Sequence, residues 1–298
     1  MLNHNFINNS YNLIFLCLIS FISAGCSSLG SGNLNNSPSK GYIYSTDGNP
    51  IYYIRNGQNH KNATLLFIHC WGCNRGYWSQ QIDYFSKKYQ SVALDLIGHG
   101  LSGSERNKFT IEHYAKDIDS AIKQLNLQNV ILIGQSFGGA IAVETAVQFS
   151  DKIKGIISIN AFGEAAPISD KKEIKNFLKP FQENYYQKSF KFTKSRFAAY
   201  TDKSIIYKIS KDIALAPSDI ALDSLKNYLF WITDKYNNAV KKLTVPLIQI
   251  QSIKFNHNQT HNSNKIIFVE SSGYYLPQEA PGKLNLALEK AINKIITE

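Results

Sequence analysis

A serine flanked by small residues, between a predicted strand and a predicted helix, carries the strongest chemical motif of this chain. Residues 134–139 read GQSFGG, which fits the pattern G-x-S-x-G, and they lie between the apolar run Val130–Gln135 and the helical run Ala140–Phe149. Only small neighbours permit the strained strand-to-helix turn that projects the Ser136 hydroxyl above a sheet. The N-terminus of the helix offers unpaired N–H groups, which stabilise a developing oxyanion.

The rest of the chain supplies the elements that must position this serine. From about residue 41, apolar runs rich in β-branched residues alternate with segments of helical length, which predicts a parallel sheet buried on both faces. The six runs are Ala63–His69, Ser91–Leu96, Val130–Gln135, Ile153–Asn160, Val245–Gln251 and Lys265–Glu270. An earlier pair, Gly41–Ser45 and Pro50–Arg55, flanks the turn TDGN and predicts an antiparallel hairpin at the sheet edge. Between residues 161 and 243 the alternation stops, and Lys, Phe and Tyr at helical spacing predict an insertion of helices over the sheet.

The N-terminal residues predict export and attachment to a membrane. Leu13–Phe21 is a short apolar run, too short to span a bilayer, and it is followed by the small residues and cysteine of ISAGC. This pattern resembles a bacterial lipobox, with cleavage before Cys26. Residues 1–25 would then be a lipoprotein signal peptide, and Cys26 would carry the lipid that anchors the mature protein.

Composition indicates one main domain behind a flexible tether. Residues 26–40 are rich in Ser, Gly and Asn and predict the tether, while residues 41–298 are long enough to bury a core of ordinary size. Ser27 after the cysteine, by resemblance to bacterial lipoproteins, indicates the outer membrane, facing the periplasm.

The net charge is +10, but the lysines are scattered, which predicts a solvated basic surface and no nucleic-acid partner. Attraction to an anionic membrane surface is compatible with this charge.

Beyond the serine motif, two further motifs resemble those of the α/β-hydrolase family, and the resemblance covers nearly everything from about residue 41 onward. HCWG at 69–72 resembles the family's H-G-x-G loop. DLIGHGLS at 95–102 resembles its D-x-P-G-H-G-x-S turn, with Ile97 in place of the proline. The resemblance implies an α/β-hydrolase fold, with a mostly parallel central sheet, helices on both faces and a helical cap at about 161–243.

The same resemblance implies an activity and its residues. Members of the family are serine hydrolases, so Ser136 would be the nucleophile of a carboxylic-ester hydrolase. The N–H groups of Phe137 and Trp71 would form the oxyanion hole, and the cap would shape a pocket for a small ester or a lipid-like ligand. The resemblance implies no cofactor and no metal.

Two positions depart from the family pattern. The family's general base is a histidine in the loop after the last strand, but residues 271–274 read SSGY, so that Tyr274 takes the histidine's place. The acidic partner should follow the preceding strand, yet no Asp or Glu lies between Val245 and Ser263, and Ile253 or a neighbour occupies its position. Because a serine hydroxyl needs an adjacent base to remove its proton, loss of the histidine alone removes most of the rate.

These departures leave two hypotheses open. In the first, the chain hydrolyses esters slowly, or with a relocated base such as His257 from the Asn-rich loop 255–264, which opens at the same end of the sheet as Ser136. In the second, the chain is an inactive hydrolase whose pocket binds a ligand or partner at the cell envelope without turnover. The intact serine motif favours the first hypothesis, whereas the loss of both base and acid favours the second.

A different chemistry is offered by the sequence CWGC at 70–73. A C-x-x-C directly after a strand and before a predicted helix, Tyr77–Tyr89, is also how thioredoxin-like proteins present their redox pair. With the other two cysteines assigned to the leader and its lipid, Cys70 and Cys73 remain alone in an oxidising compartment, where they can form a disulfide. A thiol redox protein is therefore a third hypothesis, although it leaves the serine motif and the cap unexplained.

Overall fold

The central sheet has eight strands. A computed structural model of the protein describes residues 38–58, 63–162, 170–252, 265–270 and 273–297. Its strands are β1 Ser39–Tyr44, β2 Pro50–Asn56, β3 Thr64–Ile68, β4 Gln90–Leu94, β5 Val130–Gln135, β6 Ile153–Ile159, β7 Leu247–Ser252 and β8 Ile266–Val269. They lie side by side in the order β1-β2-β4-β3-β5-β6-β7-β8. Strands β3 to β8 pair in parallel, and β1 and β2 form an antiparallel hairpin at the edge, so the predicted fold class and hairpin are confirmed.

Helices cover both faces of this sheet. They are α1 Ser79–Phe85, α2 Ile111–Gln124, α3 Phe137–Gln148, α4 Lys171–Glu183, α5 Tyr185–Lys194, α6 Lys203–Ala214, α7 Ser218–Asp234, α8 Tyr236–Lys241, α9 Leu276–Glu279 and α10 Pro281–Thr297. A 3₁₀ turn, Arg75–Trp78, precedes α1. Five of the helices, α4 to α8, lie between β6 and β7 and form the cap, in the segment where the sequence predicts an insertion of helices.

The apolar pattern of the strands explains why the sheet is buried on both faces. Every residue of β3 is buried, and because side chains alternate along a strand, its odd and even positions face opposite layers. Leu66 and Ile68 join the cluster that includes α2, α3 and the cap. Leu65 and Phe67 join the cluster formed with α1 and α10. Full burial of each such side chain stabilises the fold by about 1.5–3 kcal/mol.

The core of the described residues lies in one compact unit of the chain. Every buried member of the two apolar clusters lies between Ile43 and Ile295, within one compact unit, Asn36–Glu298. A chain that starts at residue 36 therefore contains every core group found among the described residues, and we expect it to fold on its own. Among the described residues, no helix combines the length and hydropathy needed to cross a bilayer. The predicted signal peptide and Cys26 lie outside the described residues.

Candidate active site

Ser136 occupies a strained turn between β5 and α3. Its φ of 51° and ψ of −116° lie in a region that non-glycine residues rarely adopt, and such a conformation costs on the order of 1–3 kcal/mol. The serine N–H donates to the Ile159 carbonyl at 2.9 Å, which fixes the turn against β6. The surrounding glycines are required by close approach, because a Cβ at Gly134 would lie 2.2 Å from the Gly138 carbonyl oxygen. The sequence therefore builds the turn that the serine motif predicts.

The two backbone N–H groups of the predicted oxyanion hole are those of Phe137 and Trp71. Phe137 is the first residue of α3, where N–H groups have no partner inside the helix. Within the described part of the chain, neither the Phe137 N–H nor the Trp71 N–H has a hydrogen-bond partner. The two segments touch, since a Cβ at Gly138 would lie 2.3 Å from the carbonyl oxygen of Ile68 and 2.7 Å from that of His69.

The loop that carries Trp71 is held by covalent and hydrogen bonds. Cys70 and Cys73 form a disulfide, and the Cys73 N–H donates to the Cys70 carbonyl at 3.1 Å. Between them, Gly72 has a φ of +67°, a conformation that favours glycine. Both cysteines are buried, so that exchange with an external thiol requires the loop to open. Closing so short a loop stabilises the fold by about 2 kcal/mol in the chain-entropy model, which makes the disulfide chiefly a local constraint.

His69 supports the same loop and is not a base. Burial lowers the pKa of its imidazole to about 4, so the ring is neutral near pH 7. Nε2 accepts a hydrogen bond from the Leu96 N–H at 3.0 Å, and therefore the proton resides on Nδ1, which donates to the Cys70 carbonyl at 2.8 Å. Both ring nitrogens are thus occupied by backbone groups.

The Trp71 side chain connects the loop to the cap. Its indole N–H donates to the Ala221 carbonyl on α7 at 2.8 Å. Its ring makes edge-to-face contacts with Phe181 of α4 and Tyr185 of α5, at centroid separations of 6.3 and 6.2 Å. Such aromatic pairs add about 0.5–1.5 kcal/mol each beyond the area they bury. The position of the Trp71 N–H therefore depends on the cap as well as on the disulfide.

Tyr274 contacts Ser136 directly. Its phenol O–H donates a hydrogen bond to the Ser136 Oγ, and both side chains are buried. Burial raises the pKa of Tyr274 above its ordinary value, and the neighbouring Tyr228 raises it further, while Arg196, whose guanidinium lies 4.9 Å from the ring centroid, acts in the opposite direction. The phenol is therefore neutral at physiological pH. A neutral phenol that already donates its proton cannot take the proton of Ser136.

The backbone of Tyr274 is held by side chains at the ends of β5 and β6, and the second of these is held in turn by β7. Its carbonyl accepts hydrogen bonds from the Gln135 side chain at 2.9 Å and from the Asn160 side chain at 3.1 Å. The Asn160 Oδ1 in turn accepts from the Ser252 N–H at the end of β7, at 2.9 Å. Sequence reasoning missed Gln135 and Asn160, although one signal was present, because an asparagine that ends a buried strand readily adopts the positive φ seen here, 45°.

Glu279 organises the loop around Tyr274 from the other side. Its carboxylate accepts hydrogen bonds from the backbone N–H groups of Gly273, Tyr275 and Ala198, at 2.9 to 3.2 Å, and from the Thr201 hydroxyl at 2.6 Å. A side chain at position 273 would clash, since a Cβ there would lie 2.5 Å from both Glu279 carboxylate oxygens. One carboxylate thus joins the loop after β8 to the cap.

A second phenol faces the serine from the cap. Tyr228 on α7 donates to the Ala161 carbonyl at 3.0 Å, and its hydroxyl lies beside Ser136. Burial raises the pKa of Tyr228 to about 12. The Ser136 side chain, 6% exposed, is therefore enclosed by one phenol from the loop and one from the cap.

Several predicted residues cannot be placed. The proposed base His257 and the acid position Ile253 lie in residues 253–264, which are outside the described part of the chain. Cys26 is also outside the described part. Of the predicted set, the structure brings together Ser136, Phe137, the Trp71 loop and Tyr274. In the part of the chain that the structure describes, His, Cys, Asp and Glu form no group of three or more that could hold a metal ion.

Comparison with known proteins agrees with this architecture. Residues 63–215, just over half of the chain, match the family model described as alpha/beta hydrolase fold. The chain therefore belongs to the α/β-hydrolase family, which confirms the resemblance in its motifs.

Individual relatives match only part of this region. Over 124 residues the chain is 32% identical to Epoxide hydrolase 3 of Xenopus tropicalis, covering 41% of this chain and 34% of that protein. Over 117 residues it is 32% identical to 1-acylglycerol-3-phosphate O-acyltransferase of Arabidopsis thaliana, covering 37% of this chain and 28% of that protein. The chain thus spans about a third of the length of the curated relatives it matches.

Solved structures share the fold over most of the chain. A bromoperoxidase from Bacillus anthracis aligns with a TM-score of 0.74 and 20% identity, covering 86% of this chain and all of that one. An esterase from Exiguobacterium antarcticum aligns with a TM-score of 0.70 and 19% identity, covering 85% of this chain and 98% of that one. At these identities the likeness shows the fold alone.

Proposed function

We propose that this protein is a slow serine hydrolase that cleaves carboxylic esters at the cell envelope, with Ser136 as nucleophile. The strained turn at Ser136, followed by the unpartnered N–H of Phe137 and packed against the strand end that leads into the Trp71 loop, carries the proposal. Backbone strain of this kind persists only where the surrounding structure enforces it, and it concentrates at functional sites. The similarity of the fold to that of an esterase from Exiguobacterium antarcticum supports the choice of substrate class.

The chemistry is acyl transfer in two steps. The Ser136 Oγ attacks the ester carbonyl carbon, the carbonyl oxygen becomes an oxyanion that accepts from the Phe137 and Trp71 N–H groups, and the bond to the alcohol oxygen breaks. The serine proton leaves with that alcohol, and water then cleaves the acyl-enzyme. Among the described residues no imidazole or carboxylate contacts the Ser136 Oγ to carry the proton. Oxyanion stabilisation and binding alone give roughly 10³–10⁴-fold acceleration over water.

Covalent labelling tests the nucleophile. The domain 36–298 is expected to react slowly with a fluorophosphonate probe, and the reaction should be absent in Ser136→Ala. Ser104→Ala, at an exposed serine, is the matched control and should label at the wild-type rate. A parallel His257→Ala protein tests the relocated base, because loss of a working base should slow labelling by at least about 10²-fold. Equal labelling of wild type and Ser136→Ala would exclude Ser136 as the nucleophile.

One observation favours a second candidate, a ligand-binding protein without turnover. The neutral Tyr274 phenol donates into the Ser136 Oγ, which engages one of the two lone pairs of that oxygen and weakens it as a nucleophile. In this case the domain fails to label, yet it retains an ester or lipid-like ligand that mass spectrometry of the purified protein under native conditions can detect.

We also infer that the protein is exported and anchored by lipid at Cys26, in the outer membrane and facing the periplasm. The support is the apolar run Leu13–Phe21 followed by ISAGC, with Ser27 next in the chain. The mature protein from a bacterial membrane fraction is expected to begin at Cys26 and to carry the mass of a diacylglyceryl group and an amide-linked acyl chain. In Cys26→Ser the leader should stay attached. An unlipidated mature chain with a different first residue would exclude the anchor.

A further inference from the structure

The outer surface of the cap carries three aromatic side chains on α5 and α6. Tyr186 and Tyr207 are 44% and 57% exposed, and Phe190 is half-buried. The ring centroids of Tyr186 and Phe190 are 6.3 Å apart, and those of Phe190 and Tyr207 are 6.0 Å apart. The three rings therefore form a continuous strip across both helices, where they keep apolar surface in contact with water.

Lysines flank this aromatic strip. Lys211 lies 5.9 Å from the centroid of the Tyr207 ring. Lys194 follows Phe190 by four residues and Lys203 precedes Tyr207 by four, so each lies on the same helix face as its ring, and all three lysines are exposed. Together these side chains form the α5–α6 patch, which consists of Tyr186, Phe190, Lys194, Lys203, Tyr207 and Lys211.

The two helices carry a net positive charge. Helices α5 and α6 contain six lysines and a single carboxylate, Asp212, and this carboxylate pairs with Lys208 at 2.7 Å. The patch lysines thus leave a positive field around the strip. All of these cations are lysines, whose compact charge suits a diffuse anionic surface better than the two-point recognition for which arginine is used.

We propose that the α5–α6 patch docks the cap on an anionic phospholipid surface. Amphipathic aromatic side chains favour the headgroup level of a bilayer, and each lysine near an anionic surface raises the binding constant about fivefold. The patch combines both features, whereas α4 offers the exposed lysines Lys171, Lys172, Lys175 and Lys179 beside aromatic rings that are half-buried or buried. The docking depends neither on ester hydrolysis nor on the lipid at Cys26.

Vesicle binding by the domain 36–298, which lacks Cys26, tests the proposal. The domain is expected to sediment with vesicles of phosphatidylglycerol and phosphatidylcholine and not with phosphatidylcholine alone. The triple variant Lys194→Gln/Lys203→Gln/Lys211→Gln should bind about 10²-fold more weakly, because three lysine contributions are lost. Tyr186→Ser/Tyr207→Ser should lose the part of binding that persists at high salt, since salt screens charge and leaves apolar burial unchanged.

The matched control is Lys171→Gln/Lys172→Gln/Lys175→Gln on α4, which removes the same charge away from the strip. Its binding should change less than threefold, and circular dichroism should show the same fold for every variant. An equal loss in both triple variants would assign binding to diffuse net charge and overturn the proposal. It would also be overturned by equal binding to both vesicle types, by patch-dependent dimerisation of the free domain, or by capture of a single-stranded oligonucleotide in place of vesicles.

Discussion

Replacing Tyr274 with histidine is expected to raise Ser136-dependent ester turnover by about 10²-fold at pH 7.5. The phenol it replaces is neutral and donates to Ser136, whereas an imidazole at this buried position, with its pKa lowered by burial below the ordinary 6.5, is a free base at this pH. Gln135 and Asn160 already hold the backbone at position 274. General-base catalysis typically raises a rate by roughly 10²–10⁴-fold. We expect the lower end of this range because an imidazole side chain is shorter than a phenol side chain. It therefore takes the Ser136 proton either directly at a longer distance or through one water molecule.

Hydrolysis of a short-chain p-nitrophenyl ester by the domain 36–298 measures this effect. The rate of Tyr274→His should rise with pH at values below about 6.5 and then level off, because burial at this position lowers the pKa of the imidazole below its ordinary value. Tyr274→Phe is the matched variant, because it keeps the ring and removes only the hydroxyl, and its rate should stay within about threefold of wild type since a neutral phenol is not a base. Loss of all activity in Tyr274→Phe would instead give the phenol a part in the proton transfer. No gain in Tyr274→His would favour the binding protein.

Alkaline pH is expected to unfold the domain cooperatively between about pH 10 and 12. Burial raises the pKa to about 12 in Tyr185, Tyr228, Tyr236 and Tyr275, and raises the pKa of Tyr77, Tyr114 and Tyr274 as well. A raised pKa in the folded state means that the unfolded chain releases its protons first, at about pH 10. Their contribution to stability is therefore complete below pH 10 and is lost as pH rises toward 12.

The size of the effect follows from the number of groups. Between its unfolded and folded pKa, each such tyrosine lowers the free energy of unfolding by up to about 1.4 kcal/mol for each unit that the pH rises. Seven tyrosines together therefore cancel the free energy of unfolding of a typical domain within about one to two pH units. Far-ultraviolet circular dichroism and tyrosinate absorbance at about 295 nm should change together, because the buried phenols ionise only when the fold opens.

Two conservative variants separate this mechanism from general alkaline damage. Tyr236→Phe keeps the stacking on Phe162, whose ring centroid lies 4.3 Å away, and should move the unfolding midpoint to higher pH. Tyr207→Phe, at a side chain that is 57% exposed, should leave the midpoint unchanged. Smooth ionisation of all tyrosines near pH 10 with unchanged circular dichroism would contradict the prediction.

The strands and the serine turn could be predicted because their causes are local. Apolar runs of strand length fix β3 to β8 to within one or two residues at most ends, and the glycines around Ser136 specify its turn. The predicted helix Tyr77–Tyr89 begins instead as a 3₁₀ turn and ends at Phe85, because the chain must leave it to enter β4 at Gln90.

The surroundings of Tyr274 could not be predicted, because they depend on contacts between distant segments. Gln135 and Asn160 reach the Tyr274 carbonyl across 139 and 114 residues, and the Tyr228 hydroxyl reaches the Ala161 carbonyl across 67. Single polar residues such as these leave no periodic pattern. The sequence predicts that Tyr274 stands at the position of the base, and the packing of the loop against the sheet and the cap determines what Tyr274 contacts.

The loop that presents the Trp71 N–H is built from parts that become available at different times during synthesis. Cys70 and Cys73 are three residues apart and leave the ribosome almost together, whereas Ala221, the partner of the Trp71 indole, follows 150 residues after Trp71. At about 5–20 residues per second, that interval is on the order of ten seconds. In the oxidising compartment that the sequence predicts, the disulfide can close before α7 packs against Trp71, so that the last half of the site assembles onto a loop whose backbone is already constrained.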